Sequence, residues 1–474
     1  MFCVHIFKNC TWIIALSCLA LAFGCDDGGD PTGVIQDQGG GVSDTGVLEV
    51  NERLGLLGTE PEFCGQCHEE HFAQWSGSMH AYASQDPVFV AMVNKGIADT
   101  NGQIDQFCFQ CHTPTASKLN LTPIETIDGV ARLNADLSSP PLSTGVPCVG
   151  CHMVDEVIAT ENAQLSYSRE TLFGASVTDA AREAHPIEVS DLFADPYQSS
   201  FVCGSCHNVL NPRGARLEAT FSEWYASDYN QPDDLENHQS CVTCHMPLMR
   251  GKLVKDGPEV EMHAHRFIGV DQALIDFPDR EVQGRLVREL LQNAAELDMS
   301  LNEESDGVYL VVSVTNTNTG HFLPSGSTAD RQMWVHLQVR DEGGQLVYES
   351  GMLDQDGNLA DGVAGHAAEP YIDPDLLLFG QFVFGQDGEH VLFPWEVYTT
   401  ADNLIAPGQR AWRDYPMPES IPADMTLSVT ATLKYRTFPP FVLQALADEG
   451  FLDLSQLDPV PIIEMETLTK TFER

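Results

Sequence analysis

Basic residues are scarce in this sequence. Its 474 residues include 24 Lys and Arg against 69 Asp and Glu, which gives a formal net charge of -45. An acidic surface of this kind repels nucleic acid and anionic lipid headgroups, so neither is an expected partner. The charge favours partner proteins with basic docking surfaces.

The sequence also lacks an apolar run long enough to span a bilayer as a helix. The run Trp12–Phe23 has about a dozen residues, whereas a transmembrane helix needs about 20. A weakly basic start at Lys8 followed by this run is typical of a secretory signal peptide, which we assign to residues 1–24. The sequence Leu-Ala-Phe-Gly-Cys25 at its end resembles a bacterial lipoprotein box. We therefore predict an exported periplasmic, outer-membrane or cell-surface lipoprotein anchored through Cys25; the alternative is an ordinary cleaved signal.

Aromatic residues are almost absent from residues 25–50, which are rich in Gly and Asp. Such a composition buries too little surface to offset the entropy of ordering the chain. We predict a flexible acidic tether over this range.

No cysteine of the mature chain is left over for a disulfide. Of the 14 cysteines, Cys3, Cys10 and Cys18 fall in the predicted signal and Cys25 is the predicted anchor. The other ten form five copies of Cys-x-x-Cys-His: Cys64-Gly-Gln-Cys67-His68, Cys108-Phe-Gln-Cys111-His112, Cys148-Val-Gly-Cys151-His152, Cys203-Gly-Ser-Cys206-His207 and Cys241-Val-Thr-Cys244-His245.

This pattern is the attachment signature of c-type haem. The two thiols add to the haem vinyl groups, and the histidine that follows becomes the proximal axial ligand of the iron. Zinc sites also use Cys-x-x-Cys pairs, but they combine motifs in pairs and give no reason for a histidine after each one. A thioredoxin-like redox site would need one such motif. We therefore predict five covalent haems in a mostly helical, loop-rich domain over residues 51–277.

The segment Phe63-Cys-Gly-Gln-Cys-His-Glu-Glu-His-Phe-Ala-Gln-Trp-Ser-Gly-Ser-Met-His80-Ala resembles the cytochrome c-554 family of multihaem cytochromes. That family follows a haem motif with a Trp and then with Ser-x-His-Ala, whose histidine is a distal haem ligand. The resemblance therefore implies this role for His80. It is strong over residues 63–82 and looser to about residue 270.

Three other segments resemble distal-ligand segments of related multihaem cytochromes. They are Ala184-His185-Pro186, His263-Ala-His265-Arg-Phe-Ile-Gly269 and Gly320-His321-Phe-Leu-Pro-Ser-Gly326. The resemblance implies His185, His265 and His321 as distal ligands, followed by His263, for which His238 is the rival. His71 is expected to pack near a haem, and His336, His366 and His390 receive no role.

Beyond residue 277 the hydrophobic period changes. An apolar stripe at helical spacing predicts a connecting helix over residues 278–299. Alternation of apolar and polar residues then predicts strands at Val308–Asn316, Met333–Val339, Gln345–Ser350 and Met425–Tyr435. We predict an antiparallel β-sandwich over residues 300–474, which makes the fold class α+β.

The sequence favours an electron-transfer protein over a catalyst. Dense haem motifs, enough histidines for two axial ligands per iron, and a tether all fit electron transfer among redox partner proteins. Two alternatives stay open. One is an oxidoreductase that acts on a small nitrogen or sulfur compound at one open haem, and the other is a structural subunit of an electron-conducting assembly.

Overall fold

The computed structural model describes residues 55–473, except 122–123, 134–136, 138, 306, 364–365, 367–371, 419–420 and 423. The predicted signal, the predicted lipid anchor and the whole predicted tether lie outside these residues. In the part of the chain that the structure describes, no helix is both long enough and apolar enough to cross a membrane.

Most helices are short and fall in the first three fifths of the chain. Their bounds are Pro61–Gly65, Glu69–Ser76, Met79–Tyr82, Pro87–Thr100, Phe109–His112, Pro114–Lys118, Cys148–His152, Asp179–Ala184, Asp191–Ala194, Pro196–Cys206, Thr220–Tyr225, Cys241–His245, Arg280–Gln292 and Pro440–Asp448. Single 3-10 turns occur at Gly55–Gly58, Leu142–Thr144, Thr328–Asp330 and Leu454–Gln456.

The helix Pro87–Thr100 shows how local sequence sets these bounds. The Asp86 carboxylate accepts from the Val88 amide and caps the first turn. Pro87 stands at the first helical position, where its missing N–H costs nothing. Asn101 ends the helix in the left-handed region, at φ 47°. Asparagine tolerates this conformation better than most residues because its side chain hydrogen-bonds locally.

Small two-stranded sheets lie among the helices. Four are antiparallel: Ile124–Ile127 with Val130–Leu133, Val154–Val157 with Leu165–Tyr167, Val209–Leu210 with Arg216–Glu218, and Leu248–Lys252 with Glu259–His263. A parallel pair joins Leu172–Gly174 to Ile187–Val189.

Two larger antiparallel sheets lie in the C-terminal part of the chain. The first has the order Ala295–Glu304, Gly307–Asn316, Arg410–Pro416. The second has the order Thr399–Asn403, Leu377–Phe384, Gln332–Arg340, Thr426–Arg436, Ile463–Glu473, and Leu346–Ser350 pairs with Gln332–Arg340.

One hydrophobic core draws on both sheets. Val312 of the first sheet and Val335 and Leu433 of the second belong to it and have no exposed surface. A second cluster combines Phe89 and Val93 of the helix Pro87–Thr100 with side chains of the C-terminal part such as Leu443. All the described residues belong to one compact unit.

The mixture of helices and antiparallel sheets confirms the α+β class and the four strands that alternation predicted. The helix predicted over residues 278–299 is too long, because it ends at Gln292 and Ala295–Glu304 is a strand. Ala295, Leu297 and Met299 are buried and alternate with exposed residues, which is the period of a strand. The predicted domain limits stay predictions.

Candidate haem sites

Each Cys-x-x-Cys-His motif lies on or beside a short helix. Residues three apart on a helix share one face, so both thiols of a motif turn toward the same side. The helix Cys148–His152 coincides with its motif, as does Cys241–His245. All ten cysteines of the motifs are free thiols. The pairs can therefore bond to one porphyrin edge.

In all five motifs, the Nδ1 atom of the histidine is hydrogen-bonded to an oxygen atom. Four Nδ1 atoms donate to main-chain carbonyls: His68 to Leu253 at 2.7 Å, His112 to Ala83 at 3.0 Å, His152 to Phe173 at 2.8 Å and His245 to Ile268 at 2.6 Å. The fifth, His207 Nδ1, lies 3.1 Å from Oε1 of Glu218. Carbonyl oxygens only accept, so in these four neutral imidazoles the proton is on Nδ1 and the Nε2 lone pair is free. Metal-binding imidazoles in proteins are typically oriented in this way.

Four of these histidines face a second imidazole. The ring centres are 6.3 Å apart in His68–His185, 6.3 Å in His152–His265, 6.4 Å in His80–His207 and 6.4 Å in His245–His321. Two imidazoles bound to one metal from opposite sides, with metal–nitrogen distances of about 2.1 Å, have ring centres about 6.4 Å apart. The observed spacing therefore leaves room for one iron between the rings of each pair.

His112 differs from the other four. Its ring stacks on Phe89, with centres 4.2 Å apart and planes at 12°. Among the ring contacts of the described residues, none joins His112 to another imidazole. The second motif is thus the one for which the structure supplies no facing histidine.

The remaining candidates for the fifth distal ligand lie elsewhere. His263 ends the strand Glu259–His263, and its Nδ1 is 2.6 Å from the Met246 carbonyl. His238 is buried, with its ring against Tyr197 and Trp224. The structure therefore does not bring His263 or His238 opposite His112, and no remaining sequence prediction fills that position.

Desolvation favours the neutral form of three histidines that were predicted as distal ligands. It lowers the pKa of His80 and of His265 to about 3, and that of His321 to about 4. Nearby imidazoles lower these pKa values further, as His207 does for His80. Neutral imidazole is the form that binds iron, so the surroundings favour ligation over a wide pH range.

Glu218 gives the fourth motif a different electrostatic environment. Desolvation lowers the pKa of His207, but the hydrogen bond and negative charge of Glu218 outweigh it and raise the pKa to about 9. A carboxylate on Nδ1 makes a bound imidazole a stronger donor to its metal. Sequence reasoning missed Glu218, which stands 11 residues after His207 and carries no motif of its own.

Thiols of different motifs lie close enough to shift each other's pKa in three pairs. These are Cys64 with Cys148, Cys111 with Cys206, and Cys203 with Cys241. The first motif is therefore adjacent to the third, and the fourth motif is adjacent to both the second and the fifth. This arrangement does not follow the order of the motifs in the chain.

The free thiol pairs, the oriented Nε2 atoms and the facing imidazoles fit haem c in chemistry and spacing. With the comparisons below, they define a multihaem c-type cytochrome. Residues 63–153 match the model of the family described as cytochrome c554 and c-prime, which confirms the resemblance predicted from the segment around His80.

The overall fold is similar to a solved structure. This is a penta-heme cytochrome c552 from Thermochromatium tepidum, with a TM-score of 0.59 and 18% sequence identity over 88% of this chain and 100% of that chain. No curated protein matches the sequence significantly. At this identity the likeness concerns the fold. The number of haems and the ligand roles of individual residues stay predictions.

Proposed function

We propose that this chain carries five covalent haems and works as an electron-transfer protein. The four facing histidine pairs carry the proposal. Two axial imidazoles close an iron to small molecules and favour a low-spin centre suited to electron transfer. When bound, each haem supplies a one-electron redox centre. The chain would hold it through two cysteines and orient the histidine of the motif through Nδ1. At four of the five motifs a second imidazole faces that histidine.

The contacts between motifs support transfer from haem to haem. Cysteines bond to the porphyrin edge, so motifs whose thiols touch would bring haem edges together. The fourth motif would be a branch point, with neighbours at the second motif through Cys111 and at the fifth through Cys241. Electrons could then pass in short steps within two groups of haems, one on the first and third motifs and one on the second, fourth and fifth motifs.

A second candidate function rests on His112. Without a facing imidazole, the iron on the second motif would keep an open coordination position. Such a site could bind or reduce a small nitrogen or sulfur compound, fed with electrons through the other haems. This candidate requires the same five haems and differs only at the second motif.

The cellular setting is part of the proposal. We infer export through the signal at residues 1–24, with lipid attachment at Cys25 and the tether leading to the haem-bearing body. The net charge of -45 favours redox partners with basic docking surfaces, and association with them should weaken as salt increases.

Spectroscopy of the purified, haem-loaded protein tests the proposal. Mass spectrometry should show five added haems. Electron paramagnetic resonance should show four low-spin irons and one high-spin iron, and carbon monoxide should bind one iron of the reduced protein. His80→Ala should convert one further haem to high spin without loss of covalent haem, whereas His238→Ala should change nothing. An unchanged spectrum for His80→Ala would reject the assigned pairing.

Assays of the same haem-loaded protein distinguish the two candidate functions. Turnover of nitrite or hydroxylamine with a chemical reductant would favour the catalytic candidate. Reduction and reoxidation of all five haems without such turnover would favour the electron carrier. Fewer than five haems in a fully matured sample would contradict both.

A further inference from the structure

A histidine pair lies in the two-sheet region, outside every haem motif. His390 pairs through its main chain with Phe384, at the end of the strand Leu377–Phe384, and His366 approaches from a neighbouring loop. Their ring centres are 5.3 Å apart and their planes are nearly perpendicular, at 84°. Both rings line one small cavity.

The ring nitrogens of this pair lack partners although they are buried. His366 Nδ1 lies 2.9 Å from Oδ2 of Asp361, so Nδ1 is the donor and the Nε2 lone pair is free. His366 Nε2 and both ring nitrogens of His390 are buried without a hydrogen bond among the described residues. Buried polar atoms normally have a partner because an unpaired one destabilises the fold. Three unpaired nitrogens around one cavity therefore point to a ligand.

The distance between the ring centres of His366 and His390 fits two ligands of one metal ion. It is shorter than the distance in the four facing histidine pairs of the haem motifs. Two imidazoles bound to one metal at tetrahedral angles, with metal–nitrogen distances of about 2.1 Å, have ring centres about 5.2 Å apart. The observed 5.3 Å agrees with this geometry. The haem pairs, at 6.3 to 6.4 Å, have the wider spacing of rings on opposite sides of a metal.

The surroundings complete a metal-binding environment. Asp361 orients His366 as carboxylates orient histidine ligands of metals in other proteins. Phe441 stacks on His366 with ring centres 3.6 Å apart, and His366 is only 7% exposed, so water has little access to it. Arg331 also lines the cavity, but Asp271, at 3.0 Å, offsets its positive charge.

We propose that His366 and His390 bind a divalent first-row transition-metal ion, with Asp361 as the residue that positions His366. Imidazole nitrogen suits Zn²⁺, Cu²⁺ and Ni²⁺ and not Mg²⁺ or Ca²⁺. Within the described residues no third His, Cys, Asp or Glu side chain joins the pair. Water or a small ligand completes the coordination.

Zinc binding to the haem-loaded, full-length protein tests this site. Equilibrium dialysis against Zn²⁺, in physiological salt with excess Mg²⁺ to occupy surface carboxylates, gives the stoichiometry and affinity. The wild type should bind one Zn²⁺ that His366→Ala and His390→Ala each lose. Asp361→Asn should retain the site with about 10–100-fold weaker affinity.

His336→Ala is the matched control, since His336 belongs to the same region but is held by Glu349, at 2.9 Å from its Nε2. It should bind Zn²⁺ like the wild type. Equal binding by the wild type, His366→Ala and His390→Ala would overturn the proposal. A change of haem spin state in either of these variants would also overturn it, because the pair would then belong to a haem. Circular dichroism of each variant verifies folding, and Asp361→Asn keeps the test decisive if an alanine variant is unstable.

Discussion

The two-sheet region and the central haem region are built in different ways. Residues 287–473 carry a large core, in which Leu310, Val335 and Leu433 have no exposed surface. Between residues 139 and 270 the described side chains form only small apolar groups. Val149 and Met153 pack with Leu57, and Phe201 and Trp224 contact Phe221. If haem is attached as proposed, this region would use its cofactors as a core, which the sheets do not need.

The largest expected effect comes from withholding haem. If the chain is produced where no haem is attached, residues 139–270 should lose stable structure, because they bury too little apolar surface to offset chain entropy. The strands of the two larger sheets should stay folded. Hydrogen exchange with mass spectrometry, with the matured protein as the control, measures both regions in one experiment. Equal protection of the two regions from hydrogen exchange in the haem-free chain would contradict the proposed difference in their dependence on haem.

A core substitution in the sheets should have a smaller effect that leaves the haems intact. Leu433→Ala should lower the free energy of unfolding of this region by about 2–5 kcal/mol, since Leu433 is fully buried. Leu346, which is 37% exposed in a strand of the same sheet, supplies the control Leu346→Ala, with a change of about 0.5 kcal/mol or less. Denaturant titration measures the decrease in the free energy of unfolding for both variants. A changed haem spectrum in the folded Leu433→Ala protein would show that the two regions are more tightly coupled than proposed.

The third expected effect depends on pH and concerns Asp86, which caps the helix Pro87–Thr100. This helix packs against the C-terminal part of the chain through Phe89 and Val93. Desolvation raises the pKa of Asp86 to about 7, and nearby Asp271 adds to the effect. The folded protein therefore holds a proton that the unfolded chain, with a carboxyl pKa of 3.8, releases. Asp86 makes its full contribution to the free energy of unfolding below pH 4, and this contribution is lost as the pH rises through 7.

Asp86→Asn keeps a side-chain oxygen for the cap but removes the titration. The variant should gain about 3–4 kcal/mol relative to the wild type between pH 4 and pH 7, because each unit of pKa difference corresponds to about 1.4 kcal/mol. Denaturant titrations at a series of pH values measure this gain. A difference that does not change with pH would contradict the buried carboxyl as its source.

Local sequence predicted the features that are local in space. A Cys-x-x-Cys-His motif needs only a turn of helix to present its thiols and its proximal histidine, so all five could be read from spacing. Alternation likewise predicted Thr426–Arg436, since a strand half buried in a sheet repeats every two residues. The helix predicted over residues 278–299 was wrong beyond Gln292. Between this helix and the strand Ala295–Glu304, the apolar residues fit both the 3.6-residue period of a helix and the two-residue period of a strand.

Spacing along the chain identified the thiol pairs, the predicted proximal histidines and a set of further histidines that could be distal ligands. The packing of distant segments places a second imidazole opposite four of the motif histidines, but none opposite His112 among the described residues, and it sets His366 against His390. The physical reason is distance along the chain. His68 faces His185, and His245 faces His321. The residues of each pair are far apart in the sequence, so spacing within a short segment cannot predict that they meet.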